Sequence, residues 1–184
     1  MSFPDRFLCK ASSLPDDLTG KTVLDMGGYD GRMAAFALGR GATSALVVDS
    51  LQFKAYQGYD VLAMPPGVDH VVCDAMDYIG SPVDVVCCLD VLYHADNPMG
   101  LLRKLRSLTR ETLCFSTRTV DGPKGYWRLL EPYEQHPDPT VVWKPTLSGL
   151  LKMLGMVGFQ QQKVTYREDP GSYEPDGFVV LRCS

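Results

Sequence analysis

The residues of this chain that can do chemistry are mostly acids placed where an apolar run stops. Asp25 closes the run in TVLD, Asp49 closes ALVVD and Asp74 closes HVVCD, while Tyr93 and His94 come shortly after VDVVCCLD. A carboxylate so placed accepts charge-assisted hydrogen bonds from a ligand's hydroxyls or amines, each worth roughly 1.5–3 kcal/mol. Directly after the first of these acids comes a glycine turn, in which Gly27, Gly28 and Gly31 let a ligand lie against the main chain. Asp25 and Asp30 bracket that turn with negative charge, which repels a pyrophosphate and suits a cation. Counting G-x-G-x-x-G from Gly27, the second and third glycine positions hold Tyr29 and Arg32, so a dinucleotide is not the expected ligand. His94 is read in two ways, as a general base or as a structural hydrogen-bonding residue. His70 and His136 carry no such expectation.

These groups work together only if the elements between them bring them to one edge. Strand character is expected at about 22–26, 45–49, 70–74, 83–90 and 112–117, from apolar β-forming runs bounded by turn residues. Helical character is expected at about 31–39, after Asn97 and Pro98 with Leu101, Leu105 and Leu108 as the buried stripe, and over the stripe Leu147, Leu150, Leu151 and Leu154. Strand and helix in alternation imply an α/β fold with a mainly parallel sheet and ligands at the carboxyl ends of its strands. Asp49, at the end of the second strand, is then placed to bind the two hydroxyls of a ribose; the competing role is as an N-cap for a helix beginning near Leu51, which Ser50 would fill equally well. Residues 1–20 form an entry segment and 59–68 a loop. Residues 118–144 show no clear periodicity and hold four prolines along with Tyr126, Trp127, Tyr133 and Trp143. They are read as a substrate loop with Tyr126, Trp127 and Trp143 as aromatic contacts, or as a satellite core beneath a long connection.

The pattern Asp25-x-Gly27-x-x-x-Gly31 at the end of a first strand resembles motif I of the class I S-adenosylmethionine-dependent methyltransferases, with Tyr29 where that family often has another glycine. The resemblance implies a Rossmann-like seven-stranded sheet ending in an antiparallel hairpin, here FQQQKVTY and GFVVLRC, and S-adenosyl-L-methionine as cofactor. Its ammonium and sulfonium agree with the acids around the turn. The cofactor contacts implied are Asp25, Gly27, Gly28, Tyr29, Gly31, Asp49, Ser50, Asp74, Ala75 and Leu89, with Asp74 at the adenine amino group. Asp74 is also read as the cap of a short helix at DAMDYIG. Tyr93 and His94 are the expected acceptor-side or catalytic residues.

Within that class, the strand followed by Val-Leu-Tyr-His and a Leu-rich helix is similar to the tRNA wobble-uridine carboxymethyltransferases. So are Asp49-Ser-Leu-Gln-Phe and Trp143-Lys-Pro-Thr. The likeness covers about residues 21–166. The larger members of that family carry an N-terminal extension not found here. They also hold a carboxylate on their cofactor with basic and polar residues, of which only the Tyr93 region has a match, and the Arg expected before the last strand is Gly177. Ordinary S-adenosylmethionine is therefore expected rather than a modified form.

Composition sets outer limits. The 184 residues, 45% hydrophobic and 22% charged, are expected to form one globular domain over 1–184. A net charge of -4 gives no global attraction to nucleic acid or to an anionic membrane. Arg103, Lys104, Arg106 and Arg110 form the only clear basic cluster, read as a solvated helix face or a nucleic-acid patch. Six cysteines show no zinc-site spacing, so no metal is expected, and reduced thiols agree with a cytoplasmic location. No signal peptide or membrane span is expected. The expected function is methyl transfer to a small-molecule acceptor. The alternatives are tRNA wobble-uridine modification and an inactive cofactor-binding subunit. The oligomeric state is not readable.

Overall fold

The computed structural model describes residues 5–50, 64–122, 125, 127–129, 141–169 and 177–184. A short helix α1 (Arg6–Ala11) leads into β1 (Thr22–Met26), α2 (Arg32–Gly39) and β2 (Ser44–Asp49). Then come β3 (Val68–Val72), β4 (Val83–Leu89), a single 3-10 turn (Leu92–His94), α3 (Pro98–Leu108) and β5 (Thr109–Thr119). The chain continues through β6 (Trp127–Leu129), β7 (Trp143–Pro145), α4 (Leu147–Met156), β8 (Gln162–Glu168) and β9 (Gly177–Cys183).

Among the described residues seven strands form one sheet in the order β3-β2-β1-β4-β5-β9-β8, and β6 and β7 form a separate pair. The first five are parallel, while β9 runs antiparallel to β5 and to β8. This is the seven-stranded Rossmann-like sheet with a terminal antiparallel hairpin that the resemblance implied. The order of strands reverses between β1 and β4, so the connections leaving these two strands go to opposite sides and open a crevice at their carboxyl ends.

The central strands are buried on both faces because two apolar layers sandwich them. On one face Leu24, Val86, Leu113 and Phe115 pack with Leu101, Leu105 and Leu108 of α3 and Leu150 and Leu154 of α4. On the other, Val23, Val47, Val85, Cys87 and Cys114 meet Ala34 and Ala37 of α2 and Leu14 and Leu18 of the entry segment. All six cysteines are free thiols, and Cys73 alone among them is not fully buried.

Three boundaries differ from the sequence expectation. β3 spans Val68–Val72, so Asp74 lies two residues beyond the strand rather than ending it. The cause is Asp74 itself: its carboxylate accepts from the Met76 N–H at 2.7 Å and its carbonyl from the Asp77 and Tyr78 N–H groups, turning the chain away from the ladder. β5 is longer than expected, because β9 supplies an antiparallel partner out to Thr119. Residues 118–144 are not wholly irregular, since the end of β5, all of β6 and the first two residues of β7 fall within them. Three-residue strands are too short to show a period of two. The helix expected near Leu51 lies outside the described residues.

Candidate functional site

A cavity of about 540 Å³ opens at the carboxyl ends of the parallel strands. Gly27 and Tyr29 line it from the turn after β1, Asp49 and Ser50 from the end of β2, and Asp74 and Ala75 from beyond β3. Asp90, Val91 and His94 line it beyond β4, and Asn97 and Leu101 at the start of α3. Gly27, Tyr29, Asp49, Ser50, Asp74, Ala75 and His94, singled out from widely spaced stretches of sequence, thus border one cavity, whereas Gly28 and Gly31 do not line it.

The turn after β1 is built by contacts that exclude larger residues. Gly27 has φ 76°, and a Cβ there would stand 2.3 Å from Val91 Cγ2. A Cβ on Gly28 would stand 2.6 Å from the Asp25 carboxylate. Tyr29 takes φ 45°, a left-handed conformation uncommon for a residue with a side chain. Its N–H donates to Asp49 Oδ2 at 2.7 Å. That bond ties the glycine turn to the end of β2 and holds the Tyr29 backbone in this conformation. Gly31 flanks the start of α2, and the Asp30 charge is met by Arg32.

Asp25 sits beneath this turn, 2% exposed, and Oδ2 has no hydrogen-bond partner among the described residues. Burial first and then the nearby Asp49 charge push its carboxyl up to about 7, against the opposing pull of Lys10. An acid with one unmet oxygen, under a cavity lined by Asp49, Asp74 and Asp90, suits a cationic ligand and disfavours an anion. On this donor set and volume the cavity fits S-adenosylmethionine.

Asp74 accepts from the Met76 N–H in the 75–77 turn, which stands in place of the short helix expected there, and it also lines the cavity. Asn97 caps α3 by accepting from the Gly100 N–H at 2.8 Å, with Pro98 in the first turn, and it too faces the cavity. His94 lines the cavity. Tyr93 stands behind it, buried, with its ring 4.3 Å from the His94 ring and the Arg118 guanidinium 5.6 Å from its centroid. The Tyr93 carbonyl accepts from the Val142 N–H at 2.7 Å, which joins the segment after β4 to the segment before β7. Leu89 packs into the apolar layer over α2 rather than lining the cavity.

Trp127 and Trp143 form an edge-to-face pair with centroids 6.5 Å apart on one face of the β6–β7 ribbon. Neither lines the cavity, and both indole N–H groups are buried with no hydrogen-bond partner among the described residues. Tyr126 lies outside the described residues. Sequence reasoning passed over Asp90, Val91, Asp96 and Asn97 as cavity-lining groups. For Asp90 a signal was present, an acid ending an apolar strand like Asp25 and Asp49, but VDVVCCLD reads as a strand to its last letter. Arg106 and Arg110 of the basic cluster are engaged away from the cavity. Asn97 and Leu101 line it at the start of α3, whereas Arg110, just past the helix end, pairs with Asp84 near the amino end of β4 at 3.7 Å. Arg106 lies over Phe159 and donates to the Thr109 carbonyl at 2.8 Å. Among the described residues there is no group of side chains arranged to hold a metal, and no helix long and apolar enough to cross a membrane.

Residues 3–163 match the methyltransferase domain family. The chain belongs to that family, whose Rossmann-like members take the methyl group from S-adenosylmethionine. It is 32% identical over 161 residues to a tRNA U34 carboxymethyltransferase of Marinobacter nauticus, covering 80% of this chain and 46% of that protein. It is 30% identical over 162 residues to the protein of the same name in Methylococcus capsulatus, covering 80% and 47%. The chain thus spans about half the length of the curated relatives it matches. Among solved structures, it aligns with the N-terminal domain of EvdMO1, crystallised with S-adenosylhomocysteine (SAH) and D-fucose, at a TM-score of 0.65 and 21% identity over 97% of this chain and 79% of that one. A putative S-adenosylmethionine-dependent methyltransferase from Listeria monocytogenes aligns at 0.64 with 16% identity, over 95% and 94%. These last two likenesses concern the fold.

Proposed function

We propose that this chain transfers a methyl group from S-adenosylmethionine to a small-molecule acceptor, and that the cavity at the carboxyl ends of β1, β2 and β4 is where both meet. The observation that carries this reading is the row of carboxylates along the cavity, Asp74, Asp49 and Asp90, in the order of the strands they follow. In this reading Asp74 and Ala75 border the adenine, and Asp49 with Ser50 binds the ribose. Gly27, Gly28, Tyr29 and Gly31 form the floor, Asp25 supplies charge from beneath, and Leu89 supports that floor from the core. When bound, the cofactor supplies an electrophilic methyl carbon on a sulfonium. The protein's share is then mostly alignment of acceptor and methyl group in a site that excludes water. His94 stands where it can take a proton from an acceptor hydroxyl or amine, and Tyr93 packs behind its ring. Trp127 and Trp143, expected as acceptor contacts, pack against each other away from the cavity and are assigned no contact with the acceptor.

A small acceptor is favoured over tRNA by charge. Tight binding of tRNA requires several Lys and Arg side chains around the reacting base to displace counterions. Here the cavity wall is acidic, and Arg106 and Arg110 of the basic cluster are engaged at the far end of α3, a helix of eleven residues and so about 16 Å long. The names of the Marinobacter and Methylococcus relatives support the second reading, modification of the tRNA wobble uridine.

The experiment supplies S-adenosylmethionine with either the small-molecule fraction or the tRNA fraction of a cell extract and measures S-adenosylhomocysteine. Product with the first alone supports the proposal. Product with tRNA alone, together with tRNA binding that weakens steeply as salt rises and is lost on neutralising Arg103, Lys104 and Arg106, would establish the second reading instead.

A further inference from the structure

Asp90 has surroundings that the roles assigned so far do not explain. It follows β4 directly and has φ 64°; Tyr29 is the other described residue besides glycine with positive φ. Its N–H donates to the Ser116 carbonyl at 3.1 Å, and its Oδ1 accepts from Ser116 Oγ at 2.8 Å. Its Oδ2 pairs with Lys10 Nζ at 2.7 Å, and Lys10 reaches it from α1, far away in sequence. Ser116 is fully buried in β5, so one of the two anchors belongs to the rigid sheet. The carboxylate nevertheless borders the cavity, and its side chain is 18% exposed. A carboxylate has about four acceptor directions, so these two bonds leave Asp90 able to face a ligand. Glycine would take this backbone conformation without strain. An aspartate held there by two side chains points to a use for its charge.

Its place along the sheet says what that charge faces. β4 stands two strands from β2, with β1 between them. Neighbouring strands are roughly 4.8 Å apart, so Asp90 lies about 10 Å along the cavity from Asp49. Resting on the proposed function, with ribose at Asp49 and adenine toward Asp74, Asp90 stands at the methionine end of the cofactor. There the methyl donor carries a sulfonium charge, and the product left after transfer carries a neutral thioether. A fixed carboxylate distinguishes the two.

We propose that Asp90 is a specificity-determining residue that makes the site prefer the charged methyl donor over its neutral demethylated product, and that Lys10 limits that preference by offsetting part of the Asp90 charge. A site preferring the donor releases its product readily and is refilled against competition from it. Lys10 keeps the same acid from holding the donor too tightly.

Calorimetry of the full chain with S-adenosylmethionine and, separately, S-adenosylhomocysteine tests this without knowledge of the acceptor. Asp90→Asn removes the charge and keeps the shape. Asp90→Gly removes the side chain and keeps the backbone conformation, so a misfolded variant is not a competing explanation. Both should weaken the donor about tenfold, the size expected of one partly offset charge a few ångströms away, and change product affinity less than about twofold. Lys10→Met should move the ratio of the two affinities the other way, by about threefold toward the donor. Equal losses for both ligands, unchanged donor affinity in Asp90→Gly, or a ratio that does not rise in Lys10→Met would each overturn the inference. A wild-type chain that binds neither ligand would instead remove the functional reading, and this inference with it.

Discussion

Asp25 should make both stability and cofactor binding depend on pH. Its carboxyl is 2% exposed and is pushed from its ordinary 3.8 up to about 7, first by burial and then by Asp49, against the pull of Lys10. In the unfolded chain the same group titrates near its ordinary value. Between the two values the folded protein binds more protons than the unfolded one, so stability falls as pH rises. The stabilisation gained by keeping Asp25 protonated is fully present below about pH 4 and is lost as pH rises through about 7. A displacement of about three pH units is equivalent to about 4 kcal/mol, of which about 2–3 kcal/mol falls between pH 5 and pH 8. Asp25→Asn keeps the shape and cannot ionise, so its stability relative to wild type should improve by that amount across the same interval. Any packing cost of the amide beside Gly28 is the same at every pH, which makes the slope of the difference the quantity to read. Urea unfolding of both proteins at pH 5, 6, 7 and 8 measures it. Parallel curves would refute the reasoning. A cation in the cavity should favour the carboxylate, so wild-type affinity for S-adenosylmethionine should rise from pH 6 to pH 8 with release of up to about one proton, and Asp25→Asn should lose that dependence.

Asp49→Ala should weaken S-adenosylmethionine by roughly ten- to a hundredfold, through loss of charged hydrogen bonds to the ribose and of the bond that holds the Tyr29 N–H, and calorimetry showing unchanged affinity would sink the ribose assignment. Gly27→Ala should cost about 2–4 kcal/mol, since alanine meets both the strain of positive φ and a contact of 2.3 Å with Val91 Cγ2. Adding Val91→Ala should return the steric part and leave about 1–2 kcal/mol from the backbone, so full rescue in thermal or urea unfolding would show that Gly27 is retained for space alone.

Much of the sheet and part of the site were legible before any coordinates. A buried parallel strand must be apolar on both faces, so VDVVCCL and ALVV announce themselves, and an acid that ends such a run stands at the ligand edge of the sheet. Gly27 and Asp49 were readable for that reason, and both line the cavity. Residues 118–144 were less legible. The β6–β7 ribbon is defined by pairing across a gap in sequence, and Trp127 and Trp143 find each other on one face only once Trp127 lies opposite Pro145.

Period, turn chemistry and charge are properties of neighbouring residues, so the alternation of strands and helices, the glycine turn after β1 and the acids at the ends of β1 and β2 could be read along the chain. Which of these groups share a wall, and in what state, depends on how the chain packs. Asp25 resembles Asp49 in sequence, yet burial beneath the turn moves its carboxyl toward neutrality. Asp90 reads as the last residue of a strand, but Ser116 and Lys10, from β5 and α1, hold it in a left-handed conformation facing the cavity. Arg106 and Arg110 read as members of one basic cluster, but packing sets Arg106 over Phe159 and pairs Arg110 with Asp84 near the amino end of β4. Desolvation and ion pairing depend on distances in space that chain order does not specify.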